Sequence, residues 1–529
     1  MPKNSEVKFE EYFNLPNPGL KSYFGNVERG QPDEYRTPFA RRASVQKVLK
    51  QWDPFVASLR DKWPSLVEFE NDQKAKVGPM SIMKPLKERM EDIDHYYDDI
   101  LLPSTPVSDK AVRAVLSEFK KVKGLYPRGQ QKTVDLMKKS TNSGAPYFTK
   151  RRDVVAKTLP TDCYQLGDIT MASVNHQDWK MAAILGWRGQ EGGPKPSDVK
   201  QRVVWMFPFS VNIRELQVYQ PLIECCQRFD LVPAWVSMES VDRRITRMFD
   251  TKGASDVVIC TDFSKFDQHF NSDMQDAARK ILTSLLNTSS DARAWIEDVF
   301  PIKYAIPLAY DYNKIRFGKH GMGSGSGGTN ADETLVHRAL QYEAAQNSGK
   351  LLNPYSQCLG DDGVLTFPGI TADKVMETYT AHGQEMNESK QYVSKHDCVY
   401  LRRWHHVQYR QNGVCVGVYS TYRALGRLME QERFYDPDVW SAKMVALRQL
   451  SIIENVKYHP LRDQFAEFCM KRDKYRLGID IPGFLDNISG IAREAIDLMP
   501  DFLGYTKSMV KDQTGLDSWW IVNYLKSKR

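Results

Sequence analysis

The sequence predicts a mixed α+β fold, and three stretches carry that prediction. Residues 256–262 (DVVICTD) are a compact β-branched run that reads as a buried strand. After it, Met274, Ala277, Ala278, Ile281, Leu282 and Leu285 follow helical spacing behind Ser272 and Gln275, a capping-box pair. Residues 356–367 (SQCLGDDGVLTF) set apolar arms around Gly360-Asp361-Asp362-Gly363, which predicts a tight hairpin with two carboxylates at its turn. The last hundred or so residues read as helices. Asp436-Pro437 opens a stretch through Met444, Leu447, Leu450 and Ile452, a second centres on Phe465 and Phe468, and a third spans 488–498.

Upstream, residues 1–43 are rich in Pro, Gly, Asn and charge and read as an extended arm rather than a packed helix. From Val45, the positions Val48, Leu49, Trp52, Val56, Leu59 and Trp63 form a helical stripe. Asp53-Pro54 interrupts it, where Asp can cap and Pro can open a new helix.

A chain of 529 residues exceeds one ordinary domain of ~100–200 residues and predicts about three units or one large composite fold. With 41% apolar residues and 11 Trp it can bury a large core, which excludes disorder as the general state. The net charge of +7 suits a polyanionic partner without specifying one. No apolar run approaches the ~18 residues of a membrane span, and the start lacks an apolar signal segment. The eight cysteines include no CxxC pair, so neither a zinc knuckle nor a disulfide framework is expected, and a reducing, cytoplasmic setting is the simplest expectation.

Two acidic clusters end predicted strands: Asp262 with Asp267, and Asp361 with Asp362. Carboxylates on adjacent strands could hold two Mg²⁺ or Mn²⁺ ions about 3.5 to 4 Å apart, the spacing used for in-line phosphoryl transfer. A lone GDDG is more often just a turn. The matching Asp-ended strand about a hundred residues earlier favours the chemical reading. Between them, residues 318–340 form a Gly-rich loop leading into a helix that Thr329 and Asn330 could cap. Gly323, Gly325 and Gly328 satisfy GxGxxG, but neither a clear βαβ setting nor a phosphate-loop Lys accompanies them.

In this order the motifs resemble the palm of viral RNA-dependent RNA polymerases. DFSKFD (262–267) corresponds to motif A, SGSGGTN (324–330) to B, LGDD (359–362) to C, GQEMNESK (383–390) to D and YLRRW (400–404) to E. Upstream, KPSDVKQRVVW (195–205) resembles motif F and NSGAPYF (142–148) motif G. The wording of motif B is most similar to polymerases of picobirnaviruses and, less closely, partitiviruses, which are small segmented double-stranded RNA viruses.

The resemblance implies a right hand. Its parts would be an arm at 1–45, fingers at 46–219, palm at 220–298, a fingers insertion at 299–322, palm again at 323–410, and thumb plus C-terminal tail at 411–529. It also implies RNA synthesis from NTPs on an RNA template, with two Mg²⁺ ions held by Asp262 and Asp361 and supported by Asp362. Lys195, Lys200 and Arg202 would receive the triphosphate, with Ser324, Thr329 and Asn330 also at the nucleotide. Lys390 would serve as general acid for pyrophosphate. Gly144, Pro146 and Arg402 would lie along template and primer. Association with capsid protein in the virion interior, work in the host cytoplasm and no membrane attachment are further expectations of this resemblance.

Asp267, five residues after Asp262, stands where the family reads the ribose 2′-hydroxyl, and a carboxylate can accept that hydrogen bond. The family's Asn four residues after the motif B Thr is replaced here by Glu333, so either Asn330 or Glu333 is the sugar-reading partner. A close Asp267/Glu333 pair would repel unless a proton, water or cation intervened. The competing readings are a reverse transcriptase, opposed by Asp267, and a non-catalytic RNA-binding or capsid-associated protein, opposed by the intact carboxylates. His405/His406 and Arg402/Arg403 should diverge as strand neighbours. Trp519 and Trp520 are expected to pack the tail rather than stack on a nucleotide.

Overall fold

Four antiparallel strands carry the acidic motifs. In the computed structural model, which describes residues 3–41, 43–498 and 515–529, their order is Gln357–Leu359, Asp362–Leu365, Val258–Thr261, Tyr392–Ser394. Thr261 pairs with Gly363 and Cys260 with Val364, so the ends of the motif A and motif C strands lie side by side. Leu359 pairs with Asp362, leaving Gly360 and Asp361 as a two-residue turn. Gly360 takes φ +56 there, a conformation that costs glycine nothing.

Two helices flank this sheet. Ser272–Leu285 is capped by Asn271, whose Oδ1 accepts the Met274 N–H at 3.2 Å, one residue ahead of the expected box. Gln275 instead donates to the Phe270 carbonyl. Asn caps as well as Ser, and Ser272 becomes the first helical residue. Thr329–Asn347 packs against the motif C strand, and neither Thr329 nor Asn330 caps it; Gly328 stands at its N-cap with no side-chain bond.

The fingers contain a meander, Thr161–Leu166, Ile169–Val174 and Gln177–Met181, and a five-stranded sheet. That sheet runs Asn4–Glu6, Lys314–Arg316, Leu308–Asp311, Ala183–Gln190, Lys200–Met206. Residues 308–316 therefore extend the sheet that carries motif F.

The expectation of an extended N-terminal arm is corrected. Asn4–Glu6 is an edge strand, Gly19–Arg29 is a helix, and Phe9, Phe13, Leu20, Phe24 and Val27 are buried in the main core. Leu20, Phe24 and Val27 form the buried face of that helix, and Phe9 packs on Phe13 and Phe24 with ring centroids at 5.2 and 5.8 Å. The predicted break at Asp53-Pro54 is also absent, since Val45–Ala57 is one helix with Pro54 inside it. Pro54 lies one turn or so from the C-terminal end, and the Asp53 carboxylate serves Lys74 and Tyr422 instead of a cap.

This helix and Pro64–Lys74 pack with the thumb, although the sequence assigns them to the fingers. Trp52 sits against Phe465 and Phe468, with ring centroids at 5.3 and 5.0 Å, and its indole N–H donates to Thr421 at 2.8 Å. The thumb helices are Thr421–Met429, Ala442–Glu454, Arg462–Arg472, Ile488–Leu498 and Trp520–Lys526. Ser441, not Asp436, caps the second of them. Trp519 is buried in the thumb core, and the N–H groups of Trp520 and Ile521 donate to Glu454, so the tail is packed. Among the described residues no helix is long and apolar enough to cross a membrane.

Candidate active site

Asp262 is the first residue beyond the strand Val258–Thr261, and its side chain is exposed. Its backbone is clamped by the Gln391 amide, which accepts the Asp262 N–H at 2.9 Å and donates to its carbonyl at 2.8 Å. Asp361 at the hairpin turn lies within electrostatic reach of Asp262, Asp267 and Arg202. Asp361 is accessible at its tip yet crowded by protein. That desolvation, followed by the Asp267 charge, raises its carboxyl above the ordinary range, while Arg202 opposes.

Asp362 behaves differently. Its Oδ2 accepts the Leu401 N–H at 2.8 Å, so the carboxylate faces the motif E turn rather than Asp262. Burial, and then the Asp361 charge, push it up to about 7. The two neighbouring carboxylates thus have different surroundings, Asp361 in the turn beside Asp267 and Arg202, and Asp362 at the start of the strand against the Leu401 N–H. Through that bond Asp362 braces residues 401–402, both of which hold positive φ in that turn.

Lys200 and Arg202 project from the same exposed side of Lys200–Met206. Burial first, and then Lys76, Lys390 and Arg402, lower the Lys200 ammonium, which therefore shares its surroundings with three other cations and Asp262. Lys390 is exposed on the turn Glu388–Lys390. Lys195 is exposed on the turn before the strand, where its N–H bonds Asp198 at 2.9 Å. Arg402 is paired with Glu191 at 3.8 Å, whereas Arg403 turns inward to Asp242 at 3.0 Å. His405 donates to the Cys415 carbonyl while His406 packs on Trp63 and Trp404, so the two histidines diverge.

Asp267 meets Glu333. The Glu333 carboxyl is almost fully enclosed and hydrogen-bonded to Asp267. Burial, and then the Asp267 charge, push its pKa well above the ordinary carboxyl range, which favours its neutral form. Glu333 Oε1 has no hydrogen-bond partner. Asn330 is drawn aside, its Oδ1 accepting the Trp235 indole N–H at 2.7 Å. Both residues stand near Gly360, where an added Cβ would lie 3.6 Å from Glu333 Oε2 and 3.8 Å from Asn330 Nδ2.

The Gly-rich loop presses on the motif F strand. Ser324 Oγ donates to the Val203 carbonyl at 3.3 Å, and a Cβ on Gly325 would fall 1.6 Å from the Trp205 carbonyl oxygen. Thr329 Oγ1 lies 3.2 Å from the carbonyls of Gly323 and Ser326, turned back into the loop. Gly144 and Pro146 are buried in their turn, which docks through a Phe209 N–H bond to the Ser143 carbonyl at 2.8 Å. They shape that turn, and any template strand would meet its surface rather than these two residues.

Sequence reasoning missed the residues that hold the hairpin from below. Thr334, His337, Arg338 and Gln341 occupy one face of Thr329–Asn347. Thr334 Oγ1 accepts the Gly360 N–H at 2.9 Å and His337 Nδ1 donates to the Gly360 carbonyl at 2.8 Å. Arg338 donates to the Ser356 carbonyl and Gln341 to the Gln357 carbonyl, at 2.7 and 2.9 Å. Burial lowers the His337 imidazole to about 4, so it stays neutral at working pH. The signal was present as four polar side chains at i, i+3, i+4, i+7 in a helix without a polar outer face.

An acidic two-strand palm between a basic fingers strand and a helical thumb defines the right-hand polymerases, and motif order narrows the class to those copying RNA. The description "viral RNA-dependent RNA polymerase" belongs to the family that matches residues 31–454, and this chain is a member of that family. It is 63% identical over 528 residues to the "potential RNA-dependent RNA polymerase" of a human picobirnavirus (strain Human/Thailand/Hy005102/-), covering 98% of this chain and 99% of that one. The crystal structure of a human picobirnavirus RNA-dependent RNA polymerase superposes with TM-score 0.94 at 63% identity, covering 98% and 99% of the two chains. An insertion-loop deletion mutant of such a polymerase gives 0.93 at 61% identity with the same coverage. The chain is an RNA-dependent RNA polymerase of viral type, and its similarity to the picobirnavirus enzymes extends over 98% of its length.

Proposed function

We propose that this polymerase extends RNA by two-metal nucleotidyl transfer from NTPs, releasing pyrophosphate, to replicate and transcribe a viral RNA genome. The observation that carries the reading is the convergence of Asp262 and Asp361 from paired strands, facing Arg202 and Lys200 across the site.

The donor set fits Mg²⁺, with Mn²⁺ as an alternative, because it is all carboxylate oxygen and Asp361 bears repulsion from Asp267 and Asp262 that Arg202 only partly offsets. Among the described residues no three His, Cys, Asp or Glu side chains form a ready cage. Mg²⁺ needs none, since it keeps waters and takes one or two carboxylates plus substrate phosphates. When bound, such ions would activate the 3′-hydroxyl and neutralise charge on the triphosphate.

The chain's own residues supply the rest. Lys200 and Arg202, with Lys195 at the edge, receive the triphosphate through charge-assisted hydrogen bonds. The crowded Lys200 gains most from an arriving anion. Lys390 stands on the same side to hold a proton for the leaving pyrophosphate. Asp267 accepts the ribose 2′-hydroxyl, and protonated Glu333 fixes the orientation of Asp267 by donating to it. Ser324 and Thr329 hold the Gly-rich loop beside the nucleotide, and Arg402 lies toward template and primer.

The test is extension by purified protein on a single-stranded RNA template with labelled NTPs, with and without primer, followed by product sizing across Mg²⁺ and Mn²⁺ titrations. Template-dependent RNA that requires a divalent ion is expected. No incorporation with either ion would overturn the reading.

A further inference from the structure

The six residues 323–328 include four glycines, so the Gly-rich loop has few side chains with which to hold its own shape. Ordering such a segment is entropically costly, and its geometry must be imposed from outside. The structure shows where this comes from. Glu215 is fully buried on the helix Phe209–Arg228. Its Oε2 accepts from Ser326 Oγ, and its Oε1 accepts the Gly327 N–H at 3.1 Å and an Asn212 amide N–H at 3.0 Å. Ser326 Oγ in turn accepts the Gly328 N–H at 3.0 Å.

The chain of bonds continues in both directions. Asn212 Nδ2 also donates to the Gly325 carbonyl at 3.3 Å, and its Oδ1 accepts from Arg151 Nη2 at 2.8 Å. Arg151 belongs to the turn containing Gly144 and Pro146: its backbone N–H donates to the Thr141 carbonyl at 3.0 Å and its Nη1 to the Lys138 carbonyl at 3.3 Å. At the other end, the Met322 N–H donates to the carbonyl of Asp267 at 2.9 Å. A hydrogen-bonded path therefore links the motif G turn to the Gly-rich loop, and the residue just before the loop, Met322, is tied to the Asp267 backbone. Nothing in the proposed chemistry uses Glu215, yet every bond at its carboxylate ends on this path.

We propose that Glu215 is a positioning residue that sets the shape of residues 323–328 and couples it, through Asn212 and Arg151, to the motif G turn. The inference rests on the polymerase reading above. A buried carboxylate suits the task because it accepts several hydrogen bonds at once, and an apolar replacement would orphan the Ser326 hydroxyl and the Gly327 N–H. The effect falls on nucleotide placement, so it belongs in KM for NTP more than in the rate of the bond-forming step.

Primed extension assays on Glu215→Leu, Glu215→Gln, Ser326→Ala and Arg151→Met, read as KM against kcat, test this alongside template affinity and thermal unfolding. Glu215→Leu should raise the NTP KM about tenfold, with kcat changed about threefold or less and template affinity about twofold or less. Glu215→Gln keeps one acceptor for Gly327 and an amide that can donate to Ser326, so it should restore most of the loss. Because the residues act as one path, Glu215→Leu combined with Ser326→Ala or with Arg151→Met should be no worse than the poorer single variant. If Glu215→Leu does not fold, Ser326→Ala carries the same expectation. An unmoved KM in the folded variants, a Gln variant as poor as Leu, or additive effects would overturn the proposal. A wild-type protein that incorporates no NTP at all would instead overturn the polymerase mechanism, so the two failures are distinguishable.

Discussion

Replacing Glu333 tests the most unusual feature of the site, a buried carboxyl whose neutral form is favoured beside the residue proposed to read the sugar. Glu333 is enclosed, hydrogen-bonded to Asp267 and held in its neutral form by burial and by the Asp267 charge. Glu333→Ala removes the donor that aims Asp267. A hydrogen bond to a charged group is worth about 1.5 to 3 kcal/mol, which at about 1.4 kcal/mol per tenfold is about 10- to 150-fold in preference for NTPs over dNTPs. Glu333→Gln offers a neutral amide of the same shape that still donates, so its preference should fall about threefold or less. The assay is kcat/KM for each NTP and its deoxy analogue under single-nucleotide extension, with Asp267→Ala and Asn330→Ala run in parallel. Asp267→Ala should match Glu333→Ala, and Asn330→Ala should not, because Asn330 is engaged with Trp235.

Stability supplies an independent reading of the same proton. Above the ordinary carboxyl value of 4.5, the unfolded chain releases the Glu333 proton while the native protein keeps it. The native state then binds more protons, so this group's contribution to stability falls as pH rises from that value toward the raised native one. Glu333→Gln lacks that loss. In metal-free buffer the melting temperature of the variant should therefore gain on wild type as pH rises above the ordinary carboxyl value. Equal damage by Gln and Ala, together with no pH-dependent gain, would refute the shared-proton arrangement.

Other consequences follow from the same geometry. Asp361→Asn should slow synthesis at least ~100-fold while the protein stays folded, since the residue sits in a two-residue turn; near-normal incorporation by the folded variant would remove it from the metal set. Arg202→Ala should raise the NTP KM about tenfold and leave template affinity nearly unchanged, checked by steady-state kinetics and RNA-binding titration; the reverse pattern would move Arg202 to the template channel. Lys303 and Asp332 are both fully buried and 3.0 Å apart, with Tyr219 and Tyr304 donating to Asp332 at 2.7 Å each. Lys303→Met leaves that carboxylate without its cation and should cost about 3 to 5 kcal/mol, visible in thermal or denaturant unfolding. A variant as stable as wild type would show that the two tyrosines alone suffice.

The acidic strands, the hairpin and the long C-terminal helices were legible because each is a local pattern. A compact β-branched run defines Val258–Thr261, a Gly-Asp pair defines the turn at 360–361, and the helix Ile488–Leu498 lies where the apolar period predicts one. Local rules failed where two signals competed. Pro54 reads as a helix start, but packing of Trp52 and Val56 into the thumb core holds one continuous helix through it. The segment 1–43 reads as an arm because its apolar residues are sparse, yet Phe9, Phe13, Leu20, Phe24 and Val27 are buried in a core built largely by residues far along the chain, and Tyr23 donates to the Leu185 carbonyl at 2.7 Å.

By itself the sequence determined the chemistry on offer: two Asp-ended strands, a basic strand, a glycine loop and their order along the chain, together with the family this order resembles. Only the tertiary structure decided which groups face one another. It turned Asp362 to the Leu401 N–H, set the buried Glu333 carboxyl beside Asp267 while Asn330 bonds Trp235, and placed Glu215 and His337 behind loops they never adjoin in sequence. The physical reason is that hydrogen bonding, desolvation and charge repulsion act over a few ångströms of space. Residue types and periodicities are written along the chain, but those distances exist only once the chain has folded.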